Sequence, residues 1–183
     1  MISRMNYQLT ILAENNTAEN SSLTAEHGLS IFVETPESKF IFDCGHTGVA
    51  WENADKLSVD LSSVDFVVLS HSHYDHAGGF PSLLKYCHPK AVYIGRNFWQ
   101  EKFSFDKESN QYLPKGCGFT KSDLVAWEVE EHECKDSLKL DDYAQTLNEL
   151  KRLGVRDFNL CHCSGVNSVS MSQILSISSS HSW

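Results

Sequence analysis

The 183-residue chain is poor in basic charge: 15 Lys and Arg stand against 24 Asp and Glu, for a formal net charge of −9. An extended nucleic-acid surface needs clustered Lys and Arg to meet the phosphates, so a nucleic-acid partner is not expected. No apolar run approaches the ~20 residues of a transmembrane helix, so no membrane partner is expected either. Residues 1–7 contain no apolar signal core, which gives a cytoplasmic expectation and makes the sequons at Asn15 and Asn20 accidents of sequence. Walker-type and G-x-G-x-x-G phosphate loops are absent, as are internal repeats. Six cysteines (Cys44, Cys87, Cys117, Cys134, Cys161 and Cys163) form no C-x-x-C pair. Without a secretion signal they read as reduced thiols.

What is present is concentrated in Ser70-His71-Ser72-His73-Tyr74-Asp75-His76-Ala77-Gly78-Gly79. Imidazole and carboxylate are the ligand set of catalytic zinc and related divalent metals. An apolar run at residues 64–70 reads as a buried strand leading into this cluster, and a strand end is where an α/β sheet presents functional groups to a crevice. His71 and His73 are two apart, so in extended backbone they point the same way. Asp75 and His76 are adjacent, and a tight turn would aim them at a second position. The spacing thus suggests two neighbouring metal positions, about 3.5–4 Å apart in sites of that kind. The small residues Ala77, Gly78 and Gly79 let the backbone pass close to a metal.

The His71-x-His73-x-Asp75-His76 pattern resembles the signature of the metallo-β-lactamase superfamily. Glu26-His27-Gly28-Leu29-Ser30, Ile41-Phe42-Asp43-Cys44-Gly45, Asn53-Ala54-Asp55-Lys56-Leu57 and Asp60-Leu61-Ser62-Ser63 resemble one branch of it, which includes a pterin-related transferase. Cys161-His162-Cys163-Ser164-Gly165 resembles the late His-Cys-Thr-Gly motif of that branch. The resemblance implies an α+β, four-layered αββα sandwich with metals at one edge of two sheets. It implies Asp75, His76 and His162 on one metal, and His71 and His73 on the other. Zinc is the expected ion, one or two per chain, with manganese or iron as alternatives. Two further His-bearing segments of the branch have no counterpart here. The chain therefore resembles an internally deleted and C-terminally shortened member, with the second sheet short of strands and one metal position weakened. An exposed edge left by that deletion would favour a homodimer.

Three readings follow. A metal-dependent hydrolase would use a metal-activated water, oriented by Asp75 as catalytic residue, on an ester, thioester or phosphoester of a small molecule. A pterin-related transferase is the second reading, and an inactive remnant the third. His27, Asp43 and Tyr74 are candidates for supporting a ligand or touching substrate, and His46 for touching substrate. His132 and Asp136 sit in a polar stretch, residues 130–137, read as solvated or as substitute ligands.

The chain reads as one domain over residues 1–183, large enough to bury about 70% of its unfolded surface. Strands are expected at residues 7–14, 29–35, 39–43, 64–70, 91–95, 123–131 and 155–160. Helices are expected at 81–87 and 141–153, and a frayed Ser-rich tail at 170–183.

Overall fold

The structure is a computed structural model that describes residues 8–19 and 21–134. Five expected strands are found. They are β1 (Gln8–Ala13), β2 (Ser30–Glu34), β3 (Lys39–Cys44), β4 (Phe66–Leu69) and β5 (Ala91–Gly95). The remaining elements are β6 (Phe103–Asp106), β7 (Gln111–Pro114), β8 (Glu130–Cys134) and four helices. The helices are α1 (Val49–Lys56), α2 (Tyr74–Ala77), α3 (Phe80–Leu83) and α4 (Lys121–Ala126). The expected helix at 141–153, the strand at 155–160, the tail, Asp136, Cys161, His162 and Cys163 lie outside the described residues.

One six-stranded sheet runs β1-β2-β3-β4-β5-β8, and β6 with β7 forms a second, two-stranded sheet. The mixed α+β class is that expected, and the second sheet is small among the described residues. β1, β2 and β3 pair antiparallel, whereas β3, β4, β5 and β8 pair parallel. The central strands are runs of Val, Ile and Phe because both faces are covered. On one face Phe32, Ile41, Val67, Leu69, Val92 and Ile94 pack with Trp51 of α1, Phe80 of α3 and Leu124 of α4. On the other, Ile31, Val33, Phe40, Phe42 and Val68 form a second cluster, the alternation that a pleated strand imposes.

The register of β3 and β4 decides where the site forms. Asp65 N donates to Lys39 O (2.8 Å), and the Asp65 carboxylate accepts from Lys39 N (2.9 Å). The strands then pair Phe40 with Phe66 and Phe42 with Val68. Being parallel, they end together, which brings Asp43 beside Ser70.

Sequence expectations for one strand and one helix are corrected. Of the strand expected at 123–131, only Glu130 and Glu131 are in a strand, at the start of β8. Thr120 and Asp123 form a capping box that starts α4, and Leu124 is buried against the core. A reciprocal cap satisfies two backbone donors at once, which outweighs a weak alternation of apolar residues. The polar stretch read as solvated is largely exposed over residues 130–134, and there it also forms β8, paired in parallel with β5. An edge strand tolerates charge on its open side. The helix expected at 81–87 is also shorter and earlier, with Pro81 in its first turn.

Gly79 sits where α3 meets the β3 end. A Cβ there would lie 2.0 Å from Cys44 O and 2.7 Å from Thr47 O, both backbone atoms. Gly79→Ala should therefore destabilise the chain by about 2–4 kcal/mol, since overpacking against backbone cannot relax by a rotamer change. A urea midpoint unchanged from wild type would refute that close packing.

Candidate metal centre

β4 ends at Leu69, and the next three residues, Ser70, His71 and Ser72, remain buried. His73 precedes α2 in extended conformation, and its carbonyl accepts from His76 N and Ala77 N. The backbone therefore changes from strand to helix between His73 and Tyr74. This switch gathers the side chains. The His71 ring lies 4.3 Å from that of His76 and 4.7 Å from that of His73, centroid to centroid.

Asp43 organises the floor. It is fully buried, with a φ of 54° that turns its carboxylate beneath the end of β4. Its Oδ1 accepts from Ser70 N (2.8 Å), and its Oδ2 accepts from Ser70 Oγ (2.7 Å) and His76 Nδ1 (2.7 Å). Ser70 Oγ spends its proton on Asp43, so it accepts from His71 Nδ1 (2.9 Å). Both rings thus carry their proton on Nδ1 and present a lone pair at Nε2. A ligating histidine is oriented in this way by its other ring nitrogen.

The charges follow. Burial, aided by the neighbouring His76, pushes the His71 pKa down to about 4, so this ring is neutral at physiological pH. Burial also lowers His73. Burial acts on His76 in the same direction, but the Asp43 charge and hydrogen bond, with Asp75 beyond, outweigh it and raise the pKa. His71 Nε2 is buried without any hydrogen-bond partner. An orphaned ring nitrogen costs free energy unless something occupies its lone pair.

Asp75 Oδ2 stands 3.7 Å from His76 Nε2 and 3.3 Å from His27 Nε2. The other His27 nitrogen faces Asn15 Oδ1 (3.0 Å), which also accepts from Gly28 N. Gly28 also lets the Asp75 carbonyl come close enough to accept from Leu29 N, because a Cβ at Gly28, whose φ is 141°, would fall 2.0 Å from Asp75 O. Tyr74 packs edge-on to His46 (4.7 Å), with Lys115 Nζ 5.0 Å from the centre of its ring. His132 lies in β8, stacked on Tyr93 and paired with Glu130.

The donors fit a divalent metal in kind: two imidazoles held at Nδ1, a third at His73, a carboxylate and the orphaned His71 Nε2. Among the described residues, however, no three His, Cys, Asp or Glu donors close around one point. Asp75 is turned toward His27, and His162 lies outside the described residues.

Sequence reasoning did not single out Ser70, the link between Asp43 and His71, nor Glu26. The Glu26 carboxylate holds the loop after β3 through His46 N, Thr47 N and Thr47 Oγ1. Ser70 finds Asp43 only through the pairing of β3 with β4, and Glu26 finds the loop after β3 across 20 positions.

The profile of the metallo-β-lactamase superfamily matches residues 23–172. The chain belongs to this superfamily, whose members usually bind divalent metals. It is 27% identical over 109 residues to 7,8-dihydropterin-6-methyl-4-(β-D-ribofuranosyl)-aminobenzene-5′-phosphate synthase of Methanocaldococcus jannaschii, covering 56% of this chain and 37% of that one. It is 30% identical over 70 residues to the transcription termination factor FttA of the same organism, covering 36% of this chain and 11% of that one. Among solved structures it is similar to Tm1679, a metal-dependent hydrolase of the β-lactamase superfamily. That match has 25% identity and a TM-score of 0.50, and covers 72% of this chain and 43% of that one. The chain spans about two fifths of the length of the first curated relatives it matches. Among the described residues no helix is long and apolar enough to cross a membrane.

Proposed function

We propose that the chain is a metal-dependent hydrolase of small molecules carrying an ester, thioester or phosphoester bond. His71, His73, Asp75, His76 and His162 would hold zinc, or manganese or iron in its place. The observation that carries this reading is the pair of rings, His71 and His76, tied at Nδ1 to one buried network and presenting Nε2 lone pairs side by side. A divalent metal bound there would lower the pKa of a water ligand and polarise the bond to be cleaved. Asp75 would accept a proton from the attacking water and orient it. Tyr74 and His46 would stand at the rim, and His27 would hold Asp75 in place. The four described cysteines are free thiols, which suits a reducing compartment.

Two other readings have an observation each. The match to the synthase favours a transferase. The lack of three converging donors among the described residues favours an inactive remnant. Metal content of the purified full chain, with turnover of 4-nitrophenyl acetate and bis(4-nitrophenyl) phosphate, separates them. The hydrolase reading expects bound metal and turnover that stops on chelation. Bound metal without turnover on either compound would favour the transferase, and no metal at all the remnant.

Removal of the metal should also be visible in stability. A ligand held at 100 times its Kd stabilises the folded state by about 2.7 kcal/mol, or roughly 5–10 °C in Tm at this chain length. A melting curve indifferent to chelator would show that the metal does not join the two halves of the chain.

A further inference from the structure

We propose that the hairpin of β6 and β7 is the platform for the apolar part of the substrate, an aromatic ring or a long acyl chain, beside the scissile bond. This rests on the hydrolase reading above. The hairpin has the reverse of the usual pattern. Along β6, Phe103 and Phe105 are exposed, while Ser104 is half-buried, Lys102 just before the strand is buried, and Asp106 bonds to Glu108 N and Ser109 within the turn. Cross-strand pairs share a face, and the register pairs Phe103 with Pro114 and Phe105 with Tyr112. All four of these residues are exposed, and the rings of Phe105 and Tyr112 touch at 5.2 Å. One face is therefore a continuous apolar strip in water.

This strip is joined to the candidate metal centre. Tyr74 N donates to Lys115 O (3.0 Å), Lys115 N donates to Lys102 O (2.7 Å), and His73 bridges to Gly116 in antiparallel fashion. Residues two apart on a strand share a face, and bridged residues share it across strands. Tyr112, Pro114 and Gly116 therefore lie on the face of the bridge from which His73 projects. Tyr74 and Lys115 lie on the opposite face, as the contact of Lys115 Nζ with the Tyr74 ring confirms. A group lying on Phe105 and Tyr112 is thus on the same face as the His73 side chain.

The size of the strip selects the occupant. Aromatic side chains bury ~150–250 Å² each; Phe103 and Phe105 are about half exposed and Tyr112 is 72% exposed, so the strip offers roughly 400 Å². A stable dimer needs about 800 Å² per partner, whereas a single ring or acyl chain needs no more than the strip provides.

The test uses the metal-loaded full chain and the variant Phe105→Ser/Tyr112→Ser, with circular dichroism to check folding and Phe105→Ser alone if the double variant misfolds. Calorimetry would measure binding of 4-phenylbutyrate against acetate. Kinetics would compare 4-nitrophenyl 4-phenylbutyrate with 4-nitrophenyl acetate. We expect the variant to lose roughly tenfold in affinity for 4-phenylbutyrate and in kcat/KM for its ester, with acetyl ester turnover unchanged. Unchanged binding and unchanged ester preference would overturn the platform and leave the hydrolase reading intact. Binding of 4-phenylbutyrate that the variant loses, with no turnover of either ester by wild type, would overturn the hydrolase reading and keep the platform. A variant altered only in sedimentation, from dimer to monomer, would assign the strip to a second copy and overturn the proposal.

Discussion

Asp43→Ala should cost the fold about 3–5 kcal/mol, the range found when one partner of a buried charge pair is removed. The carboxylate is fully buried and accepts three hydrogen bonds, from Ser70 N, Ser70 Oγ and His76 Nδ1. Alanine leaves the Ser70 amide and the His76 ring without an acceptor, and each orphan costs about 1–3 kcal/mol. It also leaves a non-glycine residue at positive φ without the local polar contact that favours it there. Asp43→Asn separates these contributions. It tolerates the backbone and keeps an acceptor for Ser70, but it removes the charge facing His76. Denaturant unfolding of both variants should show Asn recovering part of the loss. A cost below 1 kcal/mol for Asp43→Ala would mean that the network does not hold the end of β3 against β4. Metal uptake should fall in both variants, because the His71 and His76 tautomers would no longer be imposed.

The second large effect concerns the ligands. His71→Ala combined with His73→Ala should abolish most bound metal, measured by elemental analysis of the purified chain. His71 contributes the orphaned Nε2, and His73 stands against it at 4.7 Å. Removing His71 also relieves the buried lone pair, so the metal-free variant should lose less stability than a core truncation would. Unchanged metal content would sink the assignment of these residues. Zinc titration of the metal-free wild type should show unequal sites, the tighter served by Asp75, His76 and His162. Two equally tight sites would show that the chain supplies a further ligand. His46, beside Tyr74, would then be the first described residue to replace. His132 is turned to Tyr93 and Glu130.

The sequence was most legible where a pattern was dense. The strands β2 to β5 are apolar, β-branched and aromatic runs bounded by turn residues, and their positions follow from that alone. The helix α1 was missed because Asn53 interrupts its apolar stripe. Its side chain is nonetheless buried, donating to Leu12 O and Thr24 O (2.8 Å each) and accepting from Thr24 N. A polar residue that satisfies itself across 29 and 41 positions leaves no local trace. The hairpin β6–β7 was missed for the opposite reason. Its alternation is clear, but its apolar face points to solvent, so it cannot be read as packing. The misread strand at 123–131 yields to a cap of two residues, Thr120 and Asp123, with more effect on the backbone than the pattern around them.

By itself the sequence determined the chemistry. Four ligand-type side chains, His71, His73, Asp75 and His76, fall within six positions at the end of an apolar run, and that is the donor set on which the proposed metal chemistry rests. Tertiary structure decided how those side chains are presented. The parallel pairing of β3 and β4 brought Asp43 under Ser70 and His76, across 27 and 33 positions. That contact chooses the tautomers, the charge of each ring and the orphaned Nε2. The backbone bonds from Tyr74 to Lys115 and from Lys115 to Lys102 then joined the β6–β7 hairpin to the segment that carries His73. These outcomes depend on strand register and on the distance between chain-remote atoms, and neither is written in local composition.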